Sequence, residues 1–209
     1  MNNPSTIAAK ELSTLAVNKL IKNTYTLLAM TLLFSAGTAT LSMSMNVPSW
    51  TYLASMIVAL VLIWFVLPRT DRSVAGVGVV FAVTGLLGFG LGPLLNAYAS
   101  LPNGSQIIAT AMGGTGLIFL SLSAYALISR TDFSFLGGFL FTSLIVVLIA
   151  MIANIFLAIP IMSLTISGVV ILLMSGYILY DTSAMIHGGE TNYLHATINL
   201  YLDILNIFV

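Results

Sequence analysis

The chain of 209 residues contains no cysteine and very little charge: six Lys or Arg and six Asp or Glu make up 6% of the residues. The absence of cysteine excludes disulfides, thiolate metal sites and cysteine nucleophiles. A formal net charge of zero argues against nucleic acid as a partner. Soluble domains carry about 25% charged residues, so the scarcity of charge also excludes an ordinary soluble fold.

Hydrophobic residues make up 59% of the chain and form apolar runs of about 20 residues, the length that crosses a hydrocarbon core of about 30 Å. Turn-forming Pro, Gly and Asn residues separate these runs. The pattern predicts an all-α membrane protein, a bundle of seven transmembrane helices with short hairpins. The seven predicted segments are 24–45, 50–67, 74–99, 107–129, 133–157, 161–186 and 191–209.

The six basic residues lie in residues 1–23, in the loop from Arg69 to Arg72, and at Arg130. Because Lys and Arg resist translocation, we predict that these regions face the cytoplasm and that the C-terminus lies outside. Residues 1–23 lack a cleavage site and are predicted to be a retained polar cytoplasmic tail. Residues 24–209 are then the seven-helix transmembrane domain, with the lipid bilayer as its surroundings.

Glycine is concentrated in the third and fourth predicted segments. In lipid, small residues let helices approach closely, so these two helices are expected to lie centrally in the bundle, and packing is favoured over a ligand role. Pro93 should kink or break the third segment because it removes a backbone hydrogen bond. The glycines are Gly76, Gly78, Gly85, Gly88, Gly90 and Gly92 in the third segment and Gly113, Gly114 and Gly116 in the fourth.

Two aspartates, Asp181 and Asp203, lie in the last two apolar segments. An unpaired carboxylate at membrane depth costs several kcal/mol, so an acid there is a candidate functional site. If the two meet, they titrate as a coupled pair and share a proton; its loss creates a site suited to a hard cation such as Ca²⁺. We therefore predict a pH-sensing and cation-gating role, with both residues on a Ca²⁺ route.

One observation weighs against this hypothesis, and an alternative interpretation of the two acids is open. Counted from the Gly188-Gly189 turn at 1.5 Å per residue, Asp181 lies roughly 10 Å along its helix and Asp203 roughly 21 Å along the next, so a tilt or an extended turn is needed to bring them together. In the alternative interpretation, Asp181 faces cytoplasmic water and Asp203 bonds a neighbouring hydroxyl, such as that of Tyr201 or Thr197.

Other polar residues indicate no further chemistry. His187, Glu190 and His195 surround the predicted cytoplasmic turn without a metal-binding spacing, so solvation at the interface is favoured over ligation. No Ser-His-acid arrangement and no HExxH motif occur. We therefore expect no enzymatic activity and no cofactor other than Ca²⁺ in passage.

The sequence resembles the transmembrane Bax inhibitor motif family, and within it the bacterial YccA-like branch, from about residue 23 to residue 209. The stretches that carry the resemblance are Asn23-Thr-Tyr25, Thr84-Gly-Leu-Leu-Gly88, Leu91-Gly-Pro93, Phe133-Ser-Phe-Leu-Gly-Gly138, Ala153-Asn-Ile-Phe156, His187-Gly-Gly-Glu-Thr-Asn-Tyr193 and Asn206-Ile-Phe208.

This resemblance implies a seven-helix bundle in the bacterial inner membrane with the last helix near its centre. It also implies that Asp181 and Asp203 correspond to an aspartate pair that acts as the pH sensor of a Ca²⁺ leak. Proteins of the YccA-like branch are further modulators and slow substrates of the membrane-bound ATP-dependent protease FtsH. The tail, as a disordered and accessible end, would be the segment that this protease engages.

Overall fold

A computed structural model of the chain describes residues 4–209, with side chains from residue 14 onward. Between residues 4 and 209 the chain forms helices and no strand, which confirms the predicted all-helical fold. A short 3₁₀ turn, Ser134–Leu136, precedes the fifth helix. The helices are α1 (Pro4–Met45), α2 (Trp50–Thr70), α3 (Val74–Ala99), α4 (Gly104–Ser129), α5 (Gly137–Leu157), α6 (Pro160–His187) and α7 (Tyr193–Phe208).

Helix α1 differs from the prediction at its beginning. The sequence predicted a disordered tail up to residue 23, but α1 is helical from Pro4 onward. Residues 1–3 lie outside the described residues. The physical reason is that residues 4–23 are rich in Ala, Leu and Lys, which favour helix, and that extending an existing helix avoids the cost of nucleating a new one.

Six helices, α1 to α6, are long and apolar enough to cross a membrane; in α1 this part is Thr14–Met45. Helix α7 has 16 residues and a length of about 24 Å, which is shorter than a hydrocarbon core of about 30 Å. The seventh crossing and the orientation of the two termini therefore stay predictions.

Helices α2 and α3 both continue through a proline. In α2 the turn Leu62–Val66 is π-helical, because Pro68 has no N–H to offer to the carbonyl group four residues earlier. The helix then continues to Thr70, so the predicted end at residue 67 was wrong by three residues. Pro93 does not break α3, which runs on to Ala99.

The chain forms two compact units. The first unit consists of Met1–Ala111 and Thr191–Tyr201, and the second of Met112–Glu190 and Leu202–Val209. Helices α4 and α7 are thus each divided between the two units. The aspartates predicted to form the site both belong to the second unit.

The core of the first unit contains close contacts between α1 and α3 at the glycines of α3. A Cβ atom at Gly85 would lie 2.6 Å from Phe34 Cε1, and one at Gly88 would lie 2.5 Å from Ser35 Oγ. At Gly88 the backbone oxygen of Ser35 is also in contact, so the backbones of α1 and α3 approach closely there, whereas at Gly85 the ring of Phe34 fills the space. The predicted packing role of these α3 glycines is confirmed.

The glycines of α4 behave differently. A Cβ atom at Gly113, Gly114 or Gly116 would meet no atom within 4 Å in the described part of the chain. The prediction that these three glycines pack closely against a neighbouring helix was therefore wrong. The reason is that a small side chain permits a close approach but does not impose one; the larger residues around it decide whether a partner helix docks there.

Candidate functional site

Asp181 on α6 and Asp203 on α7 belong to the second unit, and their side chains lie close enough to interact with each other. The structure thus brings together the two acids that the sequence singled out. A carboxylate oxygen can only accept a hydrogen bond, so a bond between two carboxyl groups requires a proton on one of them. Two acids this close together are suited to sharing one proton.

The turn between α6 and α7 explains how the two acids meet. Gly188 adopts a left-handed conformation with φ = 81°, which ends α6, and α7 begins only at Tyr193. Asp181 therefore lies roughly 9 Å before the end of α6 and Asp203 roughly 15 Å into α7. The difference in depth falls from roughly 11 Å to roughly 6 Å, because residues 188–192 are not helical.

Asn192 defines where α7 begins. Its side-chain oxygen accepts the backbone N–H of Leu194 at 2.9 Å, which is the usual geometry of a helix N-cap. Its amide nitrogen donates to the backbone oxygen of Asp71 at 3.2 Å, in the loop between α2 and α3. The cap fixes the residue at which α7 begins, and it thereby fixes how far along the helix Asp203 lies.

Burial makes Asp203 the more constrained member of the pair. It is 5% exposed, and its Oδ2 atom has no hydrogen-bond partner among the described residues. Asp181 is only partly buried. A buried carboxylate oxygen without a partner is costly, and such groups are typical of sites that bind or transfer an ion.

Two further side chains act on the pair, and sequence reasoning gave neither of them this role. Glu190, which was interpreted as a solvated residue of the turn, acts electrostatically on Asp181. Tyr177 is within electrostatic range of both aspartates. The signal for Tyr177 was its position four residues before Asp181, which places both on one face of α6.

The remaining polar residues of the prediction lie elsewhere. His187 Nδ1 lies 3.2 Å from Ser183 Oγ, which also accepts the N–H of Phe133 at 2.9 Å. In the first unit, His195 Nε2 lies 3.5 Å from Asp71 Oδ2. Across the described side chains, no group of three or more His, Cys, Asp or Glu residues is arranged to hold a metal ion.

Six helices that are long and apolar enough to cross a membrane define a multi-pass α-helical membrane protein. The chain belongs to the Bax inhibitor family: the profile described as "Inhibitor of apoptosis-promoting Bax1" matches residues 17–209. The chain is 49% identical over 197 residues to the "Modulator of FtsH protease YccA" of Escherichia coli. The matched residues cover 94% of this chain and 89% of that protein. An "Uncharacterized membrane protein" of Vibrio cholerae is 46% identical over 209 residues, covering 100% and 94%.

A second E. coli relative, equally similar, is named "Inner membrane protein YccA". Together with the six apolar helices, this places the chain in the inner membrane as a multi-pass protein.

Proposed function

We propose that the chain is a pH-sensitive leak for Ca²⁺ or a similar cation across the inner membrane, gated by Asp181 and Asp203. The observation that carries the proposal is the proximity of the two acidic side chains, together with the Oδ2 atom of buried Asp203, which has no hydrogen-bond partner among the described residues. An intramembrane acid is costly to keep, and ion or proton pathways are its commonest use.

The gate follows from the proton count. With one shared proton the pair carries a single negative charge, and the hydrogen bond that this proton forms between the two carboxyl groups keeps the gate closed. Loss of the proton leaves two like charges in contact in a poorly solvated place, and they are stabilised either by separating or by a cation between them. Ca²⁺ takes six to eight oxygen ligands, so two carboxylates with water suit passage rather than permanent binding.

The proposal is tested by Ca²⁺ flux into proteoliposomes over a series of pH values. Asp181→Asn and Asp203→Asn keep the shape of the side chain and remove its titration, so the dependence of the flux on pH should be lost in both. Asp132→Asn is the matched control, because Asp132 is an exposed acid in the same unit. Curves for Asp181→Asn and Asp203→Asn that coincide with the unmodified protein would exclude the gate.

A second candidate function is that of a modulator and slow substrate of the membrane protease FtsH. It is favoured by the 49% identity to a protein named as a modulator of that protease. Helix α1 begins at Pro4, and its first part contains Lys10, Lys19 and Lys22, so this polar part of the helix is a segment that a protease could engage. The two functions are compatible in one protein.

The second candidate is tested by the lifetime of the protein in cells with and without active FtsH. Deletion of residues 1–20 should abolish protease-dependent turnover, while residues 21–45 still provide enough length for a span. In a matched control, residues 1–20 are replaced by an unrelated polar segment of equal length, which should restore turnover if only accessibility matters. Unchanged turnover after the deletion would reject this route.

A further inference from the structure

The turn after α6 folds back on the helix that it follows. The backbone N–H of Glu190 donates to the backbone oxygen of Ala184 at 3.1 Å, and the left-handed Gly188 makes this reversal feasible. At Gly189 a Cβ atom would lie 3.4 Å from the Cβ of Ala184, which is ordinary packing contact. Glu190 is therefore held against the last turns of α6, where it is half-buried.

This position brings the charge of Glu190 within electrostatic range of Asp181. Ala184 lies three residues after Asp181, so the two residues share a face of α6. The charge of Glu190 acts on Asp181, and Asp181 in turn interacts with Asp203. Counted by depth from the turn, Glu190 thus comes first, Asp181 second and the buried oxygen of Asp203 third.

The three acids do not form a metal-binding cage, because no such group of ligands exists among the described side chains. Glu190 can therefore influence a cation through its charge and not as a ligand shared with the pair. The inner end of the series is Asp203 Oδ2, which is buried and has no hydrogen-bond partner in the described residues. A cation that arrives at this oxygen from the turn passes Glu190 and Asp181 first.

We propose that Glu190 is an outer recruiting acid, which concentrates divalent cations at the α6–α7 turn and delivers them to Asp181 and Asp203. This inference rests on the proposed leak and deepens it by assigning the side from which the cation approaches. Like charges lining a confined surface raise the local concentration of counter-ions. The turn is the side that the sequence predicts to be cytoplasmic.

The size of the effect follows from Coulomb's law. At a separation of roughly 8 Å in a water-like medium, a single carboxylate attracts a divalent cation by an energy that corresponds to a roughly 3- to 10-fold change in apparent affinity. The attraction acts on arrival of the ion and not on its passage through the pair. Glu190 should therefore change the apparent KM for Ca²⁺ and leave the maximal flux unchanged.

The experiment measures initial Ca²⁺ flux into proteoliposomes against Ca²⁺ concentration, at one fixed pH and at low and high ionic strength. For Glu190→Gln we expect the apparent KM to rise roughly 3- to 10-fold with an unchanged maximal flux, and the difference to shrink at high salt because salt screens exposed charges. Glu190→Asp keeps the charge and should stay within about 2-fold of the unmodified protein.

The outcomes separate this inference from the leak on which it rests. If the unmodified protein conducts Ca²⁺ and Glu190→Gln has the same apparent KM, the role of Glu190 is overturned and the leak stays intact. A fall in maximal flux at constant KM, or a failure of Glu190→Asp to restore the KM, also overturns it, because both indicate a structural role. Absence of flux from the unmodified protein overturns the leak, and with it this inference.

Discussion

The hydroxyl oxygen of Tyr201 lies 2.6 Å from Ser35 Oγ, although 166 residues separate them in the chain. Tyr201 is 1% exposed and donates its own proton to the backbone oxygen of Thr84 at 3.2 Å, so Ser35 is the donor in the first bond. Within the first unit, one phenol thus connects α7 with both α1 and α3. Polar bonds between helices are a main source of specificity in apolar surroundings.

Tyr201→Phe should therefore lower the free energy of unfolding by about 1–2 kcal/mol, because it removes both bonds and leaves the Ser35 hydroxyl buried without this partner. Thermal unfolding in detergent measures the change. Tyr125→Phe is the control, since Tyr125 is 55% exposed and should be neutral. Equal melting temperatures for Tyr201→Phe and the unmodified protein would contradict the importance of this bond.

Gly88→Ala should destabilise the protein by about 1–3 kcal/mol, because the added methyl group would overlap the Ser35 hydroxyl and backbone and force α1 and α3 apart. Gly113→Ala is the matched control: its methyl group would meet no atom within 4 Å, and alanine favours helix more than glycine by about 1 kcal/mol. The melting temperature should fall in the first variant and stay equal or rise in the second. A similar loss in both would show that the close contact at Gly88 is not its cause, because helix propensity alone favours alanine in both variants.

Asn192→Ala should cost about 1 kcal/mol, because it removes the N-cap of α7 and the bond to the backbone oxygen of Asp71. Asn192→Ser keeps a capping oxygen and should recover most of the cap's contribution. Hydrogen exchange of the first amides of α7 measures the effect locally: faster exchange is expected in the alanine variant alone. Equal protection in all three proteins would argue against the cap.

Asp132 gives a prediction about pH. The backbone N–H of Ser134 donates to Asp132 Oδ1 at 2.9 Å, and this bond holds the pKa of Asp132 below its usual value. A lowered pKa means that the folded protein binds the proton less tightly than the unfolded chain. The ionised form therefore stabilises the fold above the usual pKa, and this stabilisation is lost as the pH falls through the folded-state pKa.

Asp132→Asn should accordingly melt at a slightly lower temperature than the unmodified protein near neutral pH, and the difference should shrink as the pH falls below the usual pKa of an aspartate and through the lowered pKa of Asp132. Ser134→Ala keeps the backbone donor and should retain most of the pH dependence. A difference between Asp132→Asn and the unmodified protein that stays constant from neutral to acid pH would show that the hydrogen bond to the ionised carboxylate is not its source.

Much of the fold could be predicted because membrane crossing leaves a strong pattern in sequence. Six of the seven predicted segments coincide with helices that can span a bilayer, and α7 lies within the seventh. The errors have local causes: α2 passes Pro68 by forming a π-helical turn, and α1 extends through residues that favour helix. Neither feature can be predicted from the apolar runs alone.

The candidate site could be predicted only in part. Asp181 and Asp203 were recognisable because a carboxylate in an apolar helix is costly and therefore rare. Tyr177 and Glu190 were not, because a tyrosine in an apolar helix and an acid in a turn are ordinary residues at those places. Their proximity to the pair depends on the face of α6 and on the backward fold after Gly188.

The sequence by itself determined that the chain is an α-helical membrane protein, which two acids are exceptional in it, and where most of its helices begin and end, because hydropathy and proline act over short stretches. Only the tertiary structure decided that these two acids interact, that Tyr201 meets Ser35, and that Gly85 and Gly88 of α3 pack closely while Gly113, Gly114 and Gly116 of α4 do not. Such contacts join residues far apart in the chain, and they depend on helix depth and rotation, which turns such as residues 188–192 set and local composition does not encode.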